Sequence, residues 1–78
     1  MSEVKSDMVL DTRGMSCPLP VLKTKRALEG LHEGQVLEVI ASDRTVESDI
    51  AELLLRMGHE LVGVRDDGPG VTFFIRKR

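Results

Sequence analysis

Hydrophobic positions in this chain repeat with two different periods, and the switches between them divide the sequence into six elements. Met8-Val9-Leu10-Asp11-Thr12 alternates as a short strand whose Met8, Leu10 and Thr12 share a face, and Gly14 breaks it. From Pro18 to Glu29 the spacing becomes helical. Val21, Thr24, Leu28 and Leu31, flanked by Ala27, form the inward face, and Lys23, Lys25, Arg26 and Glu29 point to solvent. Gly30 stops this helix and Glu33-Gly34 makes a turn. Gln35–Ala41 is rich in β-branched residues and reads as a second strand covered largely on both faces. A second helix starts from Asp43 as N-cap, with Thr45 a near competitor; Val46, Ile50, Leu53, Leu54 and Met57 are its buried face and Gly58 its stop. Glu60–Arg65 and Val71–Arg76 are strands joined as a hairpin through Asp66-Asp67-Gly68-Pro69-Gly70.

The order β-α-β-α-β-β predicts an α/β (α+β) two-layer sandwich: a mixed four-stranded sheet with both helices on one face. Each strand-helix-strand crossover is expected to be right-handed and to join parallel neighbours. At 78 residues there is material for one modest core. Residues 8–78 are therefore read as a single domain and the polar segment 1–7 as a frayed tail.

Composition narrows the function classes. Hydrophobic content of 41% and charged content of 31% are those of a globular chain, and no apolar run approaches membrane-spanning length. A net charge of −2, with Phe73 and Phe74 as the only aromatic residues, argues against direct nucleic-acid binding and leaves no base-stacking platform. Cys17 is the only cysteine, so neither an intramolecular disulfide nor a self-resolving dithiol is available. With no signal pattern at the N-terminus, cytoplasmic residence is expected.

That cysteine stands in Gly14-Met15-Ser16-Cys17-Pro18-Leu19-Pro20, where the first strand gives way to the first helix. Proline lacks an amide hydrogen and has a nearly helical φ, which suits Pro18 to the first helical position and makes Cys17 the N-cap. Pro20 falls in the same first turn, where a missing amide costs nothing. Sulfur at a helix start faces the positive end of the helix dipole, and Arg13, Lys23, Lys25 and Arg26 are near in sequence; both favour thiolate over thiol. The residues alone leave a second reading open, in which Cys17 is a small unreactive core hydrophobe. The cations are equally readable as a solvated helix face.

Leu10-Asp11-Thr12-Arg13-Gly14 leading into Cys17-Pro18-Leu19-Pro20, then Asp49-Ile50, Gly58-His59-Glu60-Leu61 and Phe74-Ile75-Arg76-Lys77, resembles the TusA family, also called SirA-like. Where many relatives carry Asp-Pro this chain has Asp43-Arg44, a difference confined to the start of the second helix. The resemblance implies the sandwich fold and a small sulfur carrier, rather than a free-standing enzyme, that holds sulfane sulfur as a persulfide on Cys17. It implies no cofactor. Its partners would be a sulfur donor, either a cysteine desulfurase or a rhodanese-like protein, and an acceptor protein on the way to tRNA thiolation, molybdenum cofactor or sulfur metabolism. Gly14, Pro18 and Pro20 would position the thiol, and Arg13, Met15, Lys23, Lys25 and Arg26 would tune it or meet transient partners. The carrier is expected to act as a monomer.

Other readings are less well supplied with residues. Cys17, His32 and His59 are too scattered for a recognisable metal site, and a small domain leaves little room for a Cys-His hydrolase cleft. Gly68-Pro69-Gly70 lacks the lysine and helix of a phosphate loop, and Arg76-Lys77-Arg78 is a short basic end. An RNA-binding domain or a regulatory adaptor without sulfur transfer is the alternative class, and it rests on fold analogy alone.

Overall fold

The computed structural model describes residues 5–78. Six elements follow one another: β1 (Met8–Asp11), α1 (Leu19–Glu29), β2 (Val36–Ala41), α2 (Val46–Met57), β3 (Glu60–Asp67) and β4 (Gly70–Arg76). They build a four-stranded mixed sheet of order β1-β2-β4-β3 with both helices packed on one face, as the periodicity predicts. β1 and β2 are parallel neighbours. β2 and β3, also joined through a helix, are not neighbours: β4 lies between them, antiparallel to both. The hairpin supplies the reason. β4 carries Val71, Phe73 and Ile75, the most fully buried row of the sheet, and that row needs a strand on each side.

The core sits between sheet and helices. Leu37 and Val39 of β2 and Phe73 and Ile75 of β4 face Leu28 of α1 and Ile50 of α2, all buried. Each such side chain stabilises the fold by about 1.5–3 kcal/mol relative to leaving it in water. Thr24, the polar residue on the inward face of α1, is satisfied locally because its hydroxyl donates to the Pro20 carbonyl at 2.7 Å. Val21, Ala27 and Met57 pack against the core from its margin. β2 is less symmetrically covered than its composition suggests, since Leu37, Val39 and Ala41 are buried and Glu38 and Ile40 on the other face are half-buried. Beside Glu38 on that open face, Arg65 lies over the Phe74 ring, 5.8 Å from its centroid, and pairs with Asp67 at 2.8 Å.

Several boundaries differ from the sequence reading. The α2 N-cap is Thr45, because the Asp43 carboxylate accepts the Thr45 amide at 2.9 Å and closes a turn ahead of the helix. That bond holds the Asp43 carboxyl below its usual range. The hairpin loop is only Gly68-Pro69, since Asp66 and Asp67 pair with Val71 and Gly70. Gly68 takes φ 84° there, and a Cβ on Gly70 would lie 2.5 Å from the Ala41 carbonyl oxygen. Of the tail expected over 1–7, residues 1–4 lie outside the described ones. Asp7 is tied to β2: its amide donates to the Val36 carbonyl and its carboxylate accepts the Val36 amide, both at 2.8 Å.

Candidate functional site

β1 and β2 run parallel, so their carboxyl ends lie side by side, and the loop to α1 leaves from that edge. Thr12 fixes its beginning: amide and hydroxyl both donate to the Ile40 carbonyl, at 2.8 and 2.7 Å. The Gly14 amide then donates to Ser42 Oγ at 3.0 Å, which ties the loop to the end of β2. Gly14 has φ 82°, a left-handed conformation that an L side chain adopts at a cost, although nothing within 4 Å would obstruct its Cβ. The Met15 amide closes the turn on the Thr12 carbonyl at 3.1 Å.

The helix begins one residue later than the sequence suggests. Pro18 is the N-cap, Pro20 is in the first turn, and Cys17 stands just outside the helix with a cis peptide bond to Pro18. The reason is a preceding turn in which the Leu19 amide donates to the Ser16 carbonyl at 2.9 Å. That bond also engages the Leu19 amide, which is therefore not free to face the sulfur. The two prolines behave differently: Pro18 is exposed, and Pro20 is buried as the first anchor of α1.

Cys17 is exposed. Its Sγ lies 3.9 Å from Asp49 Oδ2, within reach of a weak S–H donation to the carboxylate. Asp49 comes from the first turn of α2, thirty-two positions away. Cys17, Pro18, Val21, Asp49, Glu52, Leu53 and Arg56 line a shallow groove of about 260 Å³ between the two helices. Its lining is part aliphatic, from Pro18, Val21 and Leu53, and part charged, from Asp49, Glu52 and Arg56. Arg56 is engaged with Glu52 at 3.2 Å along α2.

The remaining sequence-predicted residues are distributed around this groove rather than in it. Lys23, Lys25 and Arg26 line a separate depression along α1 with Leu19, Leu22 and Glu29. Arg13 turns back onto β1, where Nε and Nη2 donate to the Asp11 carboxylate at 2.9 and 2.8 Å. This clamp holds the Asp11 carboxyl down to about 2 and raises the Arg13 guanidinium. Met15 is half-buried. Asp49 is the residue that sequence reasoning used only as part of a resemblance. Its place on the exposed side of a helix start gave no further signal. His59 is remote from the thiol in the chain fold, at the end of α2, and its Nδ1 accepts the Arg78 amide at 3.0 Å. Burial, followed by the nearby Lys77 charge, lowers its pKa. Among the described residues no cluster of three or more His, Cys, Asp and Glu is arranged to hold a metal ion, and no helix is long and apolar enough to cross a membrane.

Comparison with known proteins places this chain among characterised folds and sequences. The Bacillus subtilis protein YrkI is 40% identical to this chain over 74 residues, covering 95% of this chain and 99% of its own. The sulfur carrier protein TusA of Pseudomonas entomophila is 35% identical over 78 residues, covering 100% of this chain and 98% of its own. The crystal structure of a SirA-like protein from Desulfitobacterium hafniense superposes with a TM-score of 0.74 at 25% identity, covering 88% of this chain and 95% of that one. The family model described as sulfurtransferase TusA matches residues 8–77, and the chain therefore belongs to the TusA family.

Proposed function

We propose that this protein is a sulfur carrier that accepts sulfane sulfur on Cys17 as a persulfide and passes it to an acceptor protein. The observation that carries this reading is the lone exposed thiol of Cys17 on a loop stitched to the end of β2. Transfer is thiol-disulfide exchange in form. The Cys17 thiolate attacks the outer sulfur of a donor persulfide, the Sγ–S bond forms as the donor's S–S bond breaks, and the electron pair leaves on the donor's cysteine sulfur. The Cys17 proton passes to solvent and the donor thiolate regains one, so no external oxidant or reductant is consumed. A second attack by an acceptor thiol reverses the sequence. A neighbouring cysteine would expel sulfide and close a disulfide, and this chain has none.

In this reading Gly14, Pro18 and Pro20 position the sulfur: Gly14 by its left-handed turn, Pro18 as the cap, Pro20 as the buried anchor. Lys23, Lys25 and Arg26, with exposed Leu19 and Leu22, supply a basic and partly apolar surface for transient docking of an acidic partner. Arg13 and Met15 flank the same end. The donor is a cysteine desulfurase or rhodanese-like protein, and the carrier works as a cytoplasmic monomer whose partners choose among tRNA thiolation, molybdenum cofactor assembly and sulfur metabolism. Intact-mass analysis after incubation with a cysteine desulfurase and cysteine tests the proposal. The expected result is a reductant-sensitive gain of one sulfur atom that Cys17→Ser abolishes. No gain on the native protein, or the same gain on the serine variant, contradicts it.

A further inference from the structure

The groove beside Cys17 has a chemistry that sulfur transfer by itself does not explain. A thiol that must ionise in order to attack is held next to a carboxylate, and like charges at such a distance oppose one another. Among the described residues the thiol is the only hydrogen-bond or ion-pair partner of the Asp49 side chain, and Arg56, the one cation lining the groove, is paired with Glu52. Asp49, Glu52 and Arg56 leave the groove one negative charge in excess. Pro18, Val21 and Leu53 supply an apolar bed in the same lining. An apolar bed ending at an unneutralised carboxylate suits the long methylene stem and cationic head of a lysine or arginine, and it does not suit an acidic or a short polar group.

We propose that this groove receives a lysine or arginine side chain of the sulfur-donating protein, which pairs with Asp49 and removes the carboxylate's opposition to a thiolate at the moment of transfer. The inference rests on the sulfur-carrier reading. In the free carrier the Asp49 carboxylate sits beside the lone thiol and repels anionic reagents that approach it. In the docked complex the cation neutralises Asp49, and the Cys17 thiolate attacks the donor persulfide with the bond changes given above. Asp49 thus reports docking to the reacting atom. The basic stripe on α1 and the acidic groove beside it make the docking surface bipolar, which also fixes the orientation of a partner.

Charge-selective thiol reagents read the field at Cys17 without any partner. With 2-aminoethyl and 2-sulfonatoethyl methanethiosulfonate, each rate normalised to that of glutathione, the cationic reagent is expected to be favoured on the native protein. Asp49→Asn is expected to cut that preference by about three- to fivefold at low salt, as removal of one charge near 4 Å implies. A native preference for the anionic reagent, or a preference that Asp49→Asn leaves unchanged, overturns the proposal. Sulfur loading then separates docking from chemistry. Loading of Asp49→Asn from inorganic polysulfide is expected to rise severalfold, because an anionic donor meets less repulsion. Loading from a cysteine desulfurase with cysteine is expected to fall severalfold, with Asp49→Glu restoring part of it. Desulfurase loading of Asp49→Asn at the native rate overturns this proposal alone. A native protein that takes sulfur from neither donor overturns the sulfur-carrier reading and this proposal with it.

Discussion

Two sides of α1 differ in a way that linear sequence conceals. The side bearing Lys23, Lys25 and Arg26 is basic and exposed, and it comes from residues within nine positions of Cys17. The side on which Cys17, Pro18 and Val21 stand meets α2, and the charges there are Asp49, Glu52 and Arg56. Nearness along the chain therefore predicts a positive surrounding for the sulfur, whereas the helix pairing puts a carboxylate against it. A charge counts at a reacting atom through its distance in space, and a helix sorts neighbouring residues onto different faces.

The buried side of α1 is the strongest test of whether these two surfaces are held in place by the core. Leu28 is fully buried, so Leu28→Ala is expected to cost about 2–5 kcal/mol in urea unfolding, and to loosen the helix pairing that forms the groove. An effect under about 1 kcal/mol would show that α1 is positioned by its loop and not by its packing.

The next largest effect separates the two exposed sides. Replacing Lys23, Lys25 and Arg26 together by glutamate is expected to slow loading from a cysteine desulfurase by about tenfold, while changing alkylation of Cys17 by neutral iodoacetamide less than about twofold. Equal losses in both assays would place those cations at the sulfur and erase the distinction between the two sides.

The smallest effect concerns Arg13, which the sequence assigns to Cys17 and the structure to Asp11. The clamp holds the folded-state Asp11 pKa near 2, below its ordinary 3.8. Between those values the unfolded chain binds more protons. The clamp's stabilisation is accordingly present above the unfolded value and is lost as pH falls through the folded one. Asp67, held low by the Thr72 hydroxyl and by Arg65, acts with the same sign. Thermal unfolding from about pH 5 to pH 2 should therefore show falling stability, and Asp11→Asn should shallow that acid limb slightly. An unaltered slope would mean that the Asp11-Arg13 pair contributes nothing in solution.

What was legible in the sequence follows from what is local. Periodicity located Thr24, Leu28 and Leu31 as the inner face of α1, Val46, Ile50 and Leu54 as that of α2, and the glycine stops at Gly30 and Gly58, whereas Leu53, expected on the same inner face, is half-buried in the groove. Proline chemistry marked the start of α1 to within a residue, missing only the Ser16-to-Leu19 turn that moves the cap to Pro18. Strand order was not legible, because a parallel crossover and a crossover that skips a place have the same element sequence. β4 takes the middle position through the burial of Val71, Phe73 and Ile75, which is a property of the whole sheet. The approach of Asp49 to Cys17 was hidden for the same reason. It depends on how two helices pack to bring together residues thirty-two positions apart, and no spacing rule reaches that far.

The most direct measurement of the central claim is peptide mapping of the carrier after desulfurase loading and trapping of the new thiol with an alkylating agent. The account predicts that the extra sulfur lies wholly on the peptide containing Cys17, is released by reductant, and is absent when the thiol has been blocked beforehand. Sulfur recovered on any other peptide, or a blocked protein that loads as well as the free one, would contradict it.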